Sequence, residues 1–524
     1  MKTTSILRLI VTAAMLCPIV FTGCSKEEEQ LIDPNKKPDK EEPEKPEGPT
    51  VLDGEIFAYP AIETLQTSSD FTVTANGVDI WVEEYDVELP SAPFKQGEED
   101  FVNKVRPYLG TTQRTAFARF STTGGTAVSI NSPSVISKCT VHPKSRNIAV
   151  SGEGTNTVTF NITGPENLYV EIPGMPELYI FADAPETDRP DENDPTYYYF
   201  GPGVHEIEGG QLLIANVEKR NVYIAAGALV KGCIRFDNIK GSARLHGRGI
   251  LDATITGGVG NVVYQHYSSG VAVEDIMART SQRGWMCWLY QSQYSSFSNV
   301  KIIGYGANND GIPATSPRGL TVKNCFIRTT DDCISLKTEN KDIDADVAIE
   351  GSTMYGVASS DGVMVGYECK GRLTNVKVKD CDIIGGRGTT ILGYGHAGFT
   401  IGCDGPGPIE NVTFENVRVE NKVFENNMLA IVTDGKAYMP NTSSFHGKPG
   451  SIKGITLKNV SWENAGMPMR FVGHGADNTI KDILFENCTA GGNLIDGTDT
   501  YFMTKISPNL NEFVSPSEIR VRNR

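Results

Sequence analysis

Several things are missing from this 524-residue chain. It has no long basic run, and its 64 acidic against 48 basic residues leave a formal net charge of −16, so nucleic acid is not an expected partner. Its eleven cysteines include no C-x-x-C pair. Setting aside Cys17 and Cys24 of the N-terminal segment leaves an odd nine, which argues against a disulfide framework or a zinc site and assigns most thiols to core packing. Phosphate loops, dinucleotide-binding glycine runs and nucleophile elbows are also absent from the strand-to-helix settings they need. What the chain does have is turn-formers, 54 glycines and 28 prolines, and a length that calls for two or more domains.

The N-terminus, "MKTTSILRLIVTAAMLCPIVFTGC", sets Lys2 and Arg8 ahead of an apolar run ending in small residues, the layout of a secretory signal. Phe21-Thr22-Gly23-Cys24 resembles a bacterial lipobox, which implies a lipoprotein signal peptide over residues 1–23 and acylation of Cys24. Residues 24–52 are charged and proline-rich, as expected of a disordered tether. The acidic run Glu27 to Glu29 resembles the export signal of surface lipoproteins. An outer-membrane lipoprotein, anchored by lipid and exposed at the cell surface, is the expectation.

Short alternating segments such as "DFTVTANGVDIWVEEY" and "NTVTFNIT" predict a β-sandwich over residues 53–190. Beyond it the sequence repeats. "LTVKNCFI" (from Leu320), "VAIEGSTM" (Val347), "VKVKDCDI" (Val376), "VTFENVRV" (Val412), "ITLKNVSW" (Ile455) and "ILFENCTA" (Ile483) share one pattern, with the fifth position at Asn324, Gly351, Asp380, Asn416, Asn459 and Asn487. A coil of roughly 25 to 30 residues, one short strand after another without helical periodicity, predicts a right-handed parallel β-helix over residues 191–524. Cys325, Cys381 and Cys488 share a repeat position and should stack inside. The fold class is therefore all-β, a sandwich followed by a parallel β-helix.

The chemistry is expected at "GYGANNDGI" and "TTDDCISLK". Asp310 lies 21 and 22 residues before Asp331 and Asp332, one coil away, so the three carboxylates fall on adjacent rungs about 4.8 Å apart. A bend at a coil corner lets both members of the Asp pair face outward. Their repulsion then keeps a proton on at least one of them near neutral pH, which is equipment for cleaving a glycosidic bond.

"NNDGI" followed by "TVKNCFIRTTDDCISLK" resembles the active-site signature of the pectinase-like β-helix glycosidases, the polygalacturonases of glycoside hydrolase family 28 and the related dextranases and isopullulanases of family 49. The resemblance implies hydrolysis of an α-linked polysaccharide or oligosaccharide with inversion, Asp331 as general acid, and Asp310 and Asp332 holding and activating water. The chain departs from family 28 on the next coil, where Ser360-Asp361-Gly362 stands in place of Gly-His-Gly, and it lacks a clear Arg-x-Lys, Lys436 being a poor match. The stretch "LYIFADAPE…TYYYFGPGVHEI" is closer to family 49, which tilts the expected substrate from pectin toward a neutral α-glucan.

Further substrate-binding candidates are Tyr305 beside the Asp310 turn, Trp288 in "GWMCWLY", Lys337, and Tyr367 and His396 on later coils. Alternating Asp342, Asp344 and Asp346 faintly resemble a calcium loop but lack its glycine and terminal glutamate. No metal or cofactor is expected. A polysaccharide lyase on the same fold, or a non-catalytic glycan-binding protein, stay open as alternatives.

Overall fold

The structure is a computed structural model, and it describes residues 52–88, 112–215, 218–254, 261–306, 308–339, 342–357, 361–385, 397–420, 428–433, 449–465, 468–497 and 513–524. The signal segment, Cys24, the tether as far as Val51, Ser360, His396 and Lys436 lie outside these residues.

From Tyr197 onward the chain winds as a parallel β-helix, its strands forming, among the described residues, a twelve-stranded and a twenty-stranded sheet. The larger sheet contains two columns of strands. One includes Met277–Thr280, Lys301–Gly304, Phe326–Thr329 and Thr353–Gly356; the other includes Val263–His266, Cys287–Tyr290, Ile312–Thr315, Ile334–Thr338 and Val363–Cys369. The coil thus presents three faces around one apolar interior.

The six repeats pair in the register their sequences predict. Val322, Ile349, Val378, Phe414, Leu457 and Phe485 form one buried column on successive rungs. Two residues further on, the chain turns a corner through left-handed backbone. Asn324, Gly351, Asp380, Asn416, Asn459 and Asn487 all have φ between 51° and 61°, a region that glycine enters freely and asparagine or aspartate more easily than other residues. The carboxamides also link rungs: Asn459 donates to Asn416 Oδ1 at 2.8 Å and Asn416 to Asp380 Oδ1 at 2.7 Å. Cys325, Cys381 and Cys488 follow the corner and are buried and free, as are the six other cysteines from Cys139 onward. The alternating aspartates serve the neighbouring coil. Asp342 accepts from the Arg372 amide at 2.8 Å, Asp344 from the Arg372 guanidinium at 3.0 Å, and Asp346 from Asn375 at 3.0 Å.

Ahead of the helix, a seven-stranded and a four-stranded sheet pack across one apolar core, with Phe120, Leu178 and Ile180 on one side and Phe71, Val128 and Phe160 on the other. This sheet pair covers one face of the β-helix, in the column of outward positions Asp252, Arg279, Ile303, Arg328, Tyr355, Ile384 and Glu420. Aromatic rings fill the seam, among them Phe117, Tyr179 and Phe181 against Tyr305, Phe326 and Tyr355. Because the seam is buried, the charges in it are paired. Arg279 binds Glu83 at 2.5 Å and Asp252 at 2.6 Å, Lys301 pairs with Asp183, and Arg328 binds Glu177 at 3.2 Å and lies 4.1 Å from the Tyr305 ring centre.

At the far end of the seam, buried His142 contacts Glu420 of the helix at 2.6 Å and Glu171 of its own sheet at 3.0 Å. Burial alone would lower its pKa, but the two carboxylates outweigh it and hold the imidazole above its ordinary value. A raised histidine stabilises the fold fully below its unfolded pKa of about 6.5, and the contribution is lost as pH rises through the folded value. His142→Leu should therefore cost about 3 kcal/mol at pH 5.5 by stranding buried Glu420, and clearly less at pH 9, as read by denaturant titrations at the two pH values.

Candidate active site

Where the covered face turns into the third face, the chain places an aspartate on each of three successive rungs. Ile312, Ile334 and Val363 are in register, and Asp310, Asp332 and Asp361 each stand two residues before them. The rungs are tied by backbone bonds from Gly311 N to Asp332 O at 2.9 Å and from Cys333 N to Asp361 O at 2.8 Å. Glycine follows Asp310 because a Cβ at Gly311 would lie 2.5 Å from the Cys333 carbonyl oxygen. Asp310, Asp332 and Asp361 are buried and Asp331 is half-buried. Asp331 is therefore the carboxylate most open to a ligand.

Each carboxylate is held by a specific donor. Ser335 Oγ donates to Asp310 at 2.9 Å, the Asp332 amide to Asp331 at 3.1 Å, and the Asp361 amide to Asp332 at 3.0 Å. Asp361 in turn accepts from the Ala397 amide at 2.7 Å and Thr400 Oγ1 at 3.2 Å. Burial is the main reason the Asp310 carboxyl is pushed up to about 7; Asp331 and Glu368 add to the rise, and Lys337 and Ser335 restrain it. Asp332 is driven well above the carboxylate range, first by burial and then by Asp361, Asp331 and Asp310. The cluster thus holds a proton on Asp332 while Asp310 titrates near neutrality, a poise suited to acid–base chemistry.

Lys337 lies beside the column, with Nζ 3.8 Å from Asp310 Oδ2, 2.8 Å from Glu368 Oε2 and 4.3 Å from the centre of the Trp285 ring. Lys337, Glu368 and Trp285, with Trp288, Tyr290, Thr315, Glu339 and Lys370, line a cavity of about 130 Å³. Trp288 stacks on Tyr264 one rung earlier, with ring centres 4.6 Å apart and planes within 10°, and its indole N–H donates to Thr315 at 3.3 Å. The structure therefore brings Asp310, Asp331 and Asp332 together, with Lys337 joining Asp310 to the cavity that Trp288 lines.

Two sequence expectations are corrected. Tyr305 has no exposed surface; its hydroxyl meets Thr115 of the N-terminal sheet pair at 2.7 Å, so it belongs to the seam and is closed to a sugar. Tyr367 is buried with its ring over Gly402, where a Cβ would come within 2.6 Å of it. Three cleft residues were not identified as site residues. Asp361 is announced by a recurring triplet, Asp310-Gly-Ile, Asp332-Cys-Ile and Asp361-Gly-Val, whereas Glu368 and Ser335 carry no such mark.

The pattern of Glycosyl hydrolases family 28 matches residues 261–469, which include all four aspartates. The chain is similar to the pectinase-like parallel β-helix glycoside hydrolases. It is 28% identical over 225 residues to a polygalacturonase of Brassica napus, covering 41% of this chain and 52% of that protein. It is 26% identical over 209 residues to a probable exopolygalacturonase B of Aspergillus terreus, covering 37% and 44%. The chain thus spans about half the length of these relatives. The fold extends further: Dex49A from Penicillium minioluteum, 13% identical, superposes over 89% of this chain and 96% of its own with a TM-score of 0.55.

The raised Asp310 carries a consequence for stability. A buried carboxyl with an elevated pKa is accommodated when neutral and opposes folding once ionised, so stability declines as pH climbs from about 4 through about 7. Asp310→Asn should match wild type at pH 4 and exceed it at pH 8, by on the order of 2 kcal/mol, in denaturant titrations at both pH values.

Proposed function

We propose that the protein hydrolyses an α-linked polysaccharide with inversion at the anomeric carbon, an α-glucan or a pectic polymer being the substrate class. The observation that carries this reading is the cluster in which half-buried Asp331 acts electrostatically on buried Asp310 and Asp332. The match to the family 28 pattern covers the same rungs.

Asp331 is the general acid. As the carboxyl of the three with surface to offer a sugar, it delivers the proton to the leaving oxygen. Asp310, ionised beside Lys337, accepts the proton of the attacking water, and Asp332, neutral, donates a hydrogen bond that holds that water in place. The bond from water oxygen to the anomeric carbon forms as the glycosidic bond breaks. Lipidation at Cys24 would present this cleft at the outer surface of the cell, anchored in the outer membrane.

Purified protein and Asp331→Asn are incubated with dextran, pullulan and polygalacturonate, following reducing ends, ultraviolet absorbance and the first-formed anomer by NMR. The reading expects inverted product without absorbance and at least a 10²-fold loss of kcat in the variant. Unsaturated products would make the enzyme a lyase, and glycan binding without turnover by the wild type, unchanged in Asp331→Asn, would make it a binding protein. Ser335→Ala, by removing a donor to ionised Asp310, should move the acid limb of the kcat/KM profile to higher pH, because the base then ionises later.

A further inference from the structure

Glu368 reaches the cleft by an unusual route. In the strand Val363–Cys369, Val365 pairs with Leu336 and Cys369 with Thr338, so Gly366, Tyr367 and Glu368 stand opposite Lys337 alone. The chain accommodates the surplus with two consecutive non-glycine residues in left-handed backbone, Tyr367 at φ 34° and Glu368 at φ 60°. Such conformations are costly and persist where the surroundings enforce them, often at functional sites. Here the bulge buries the Tyr367 ring and turns Glu368 onto Lys337.

The outcome is an ammonium with no charge to spare. Lys337 is 12% exposed, and carboxylates lie against it from two sides, Glu368 at 2.8 Å and Asp310 at 3.8 Å, with the Trp285 face closing a third. Lys370, the other basic residue of the cavity wall, is exposed at its rim, and Glu339, which accepts from Tyr290 at 2.7 Å, is a further carboxylate on that wall. An acidic sugar placed beside Asp310 would meet several carboxylates and a cation already matched, in a recess where water screens poorly. A neutral sugar meets hydroxyl-binding partners, the Glu368 and Glu339 carboxylates as acceptors and the edges of Trp288 and Tyr290.

We propose that Glu368 is a specificity-determining residue: by saturating Lys337 it makes the subsite beside Asp310 accept a neutral sugar and reject a uronate. This rests on the glycosidase reading, although its test reads binding and not turnover. The full chain, Glu368→Gln and Glu368→Gln/Lys337→Met are titrated with galactose and with galacturonate, which differ in the carboxylate alone, and occupancy is followed by ligand-observed NMR. Glu368 is 41% exposed, so its replacement removes no core contact, and Glu368→Ala serves as a second deletion of the charge. Wild type should favour galactose. Either single variant should strengthen galacturonate binding relative to galactose at least fivefold, and Lys337→Met should abolish that gain. A wild type that already prefers galacturonate would overturn the proposal, as would variants with no gain, undetectable binding included. Absence of hydrolysis by the wild type on all three polymers would instead count against the glycosidase reading and leave this binding comparison intact.

Discussion

One backbone conformation governs this molecule. At every coil the chain must enter left-handed space to turn from the first face to the second, and it does so at Asn324, Gly351, Asp380, Asn416, Asn459 and Asn487. Because the corner recurs at the same point of each coil, each strand starts in register with the strand beneath it. That register is what delivers Asp310, Asp332 and Asp361 to one column. Shift one corner by a residue and an interior side chain would trade places with an outward one. The alignment of the aspartates is thus a by-product of backbone stereochemistry and not of side-chain packing around the site.

The same logic explains what was legible in the sequence. Residues that tolerate positive φ are few, so a corner leaves a mark, and the ladder of Asn and Asp was readable with its register. The adjacency of Asp310 to the Asp pair followed from coil length alone. Tyr305 was placed at the site by its nearness to Asp310 in the chain, but the N-terminal sheet pair covers its face and places Arg279, Lys301 and Arg328 in the same buried seam. Those charges look like ordinary surface residues in sequence, and their partners, Glu83, Asp183 and Glu177, lie more than a hundred residues away. Glu368 was invisible for a different reason, since a bulge breaks the two-residue alternation on which inward and outward assignments rest.

Inside the cleft, burial and charge act together. Asp332 keeps its proton because three neighbouring carboxylates and the loss of water both oppose its ionisation. Asp310 is kept near neutrality by the nearby Lys337. The lysine is therefore an electrostatic regulator of the column, and Glu368 sets how much of its charge remains for anything else.

The repeats are separated by 27, 29, 36, 43 and 28 residues, yet their third positions pair without a break from Val322 to Phe485. The surplus residues therefore lie between strands and leave the register unchanged. Such a scaffold lets insertions accumulate along one side as freely as loops on a barrel rim, while the spacing of the carboxylates stays fixed by hydrogen-bonded rungs. Lineages descending from such a chain can re-cut the walls of the groove, and with them the polymer admitted, without re-inventing the reaction at its floor.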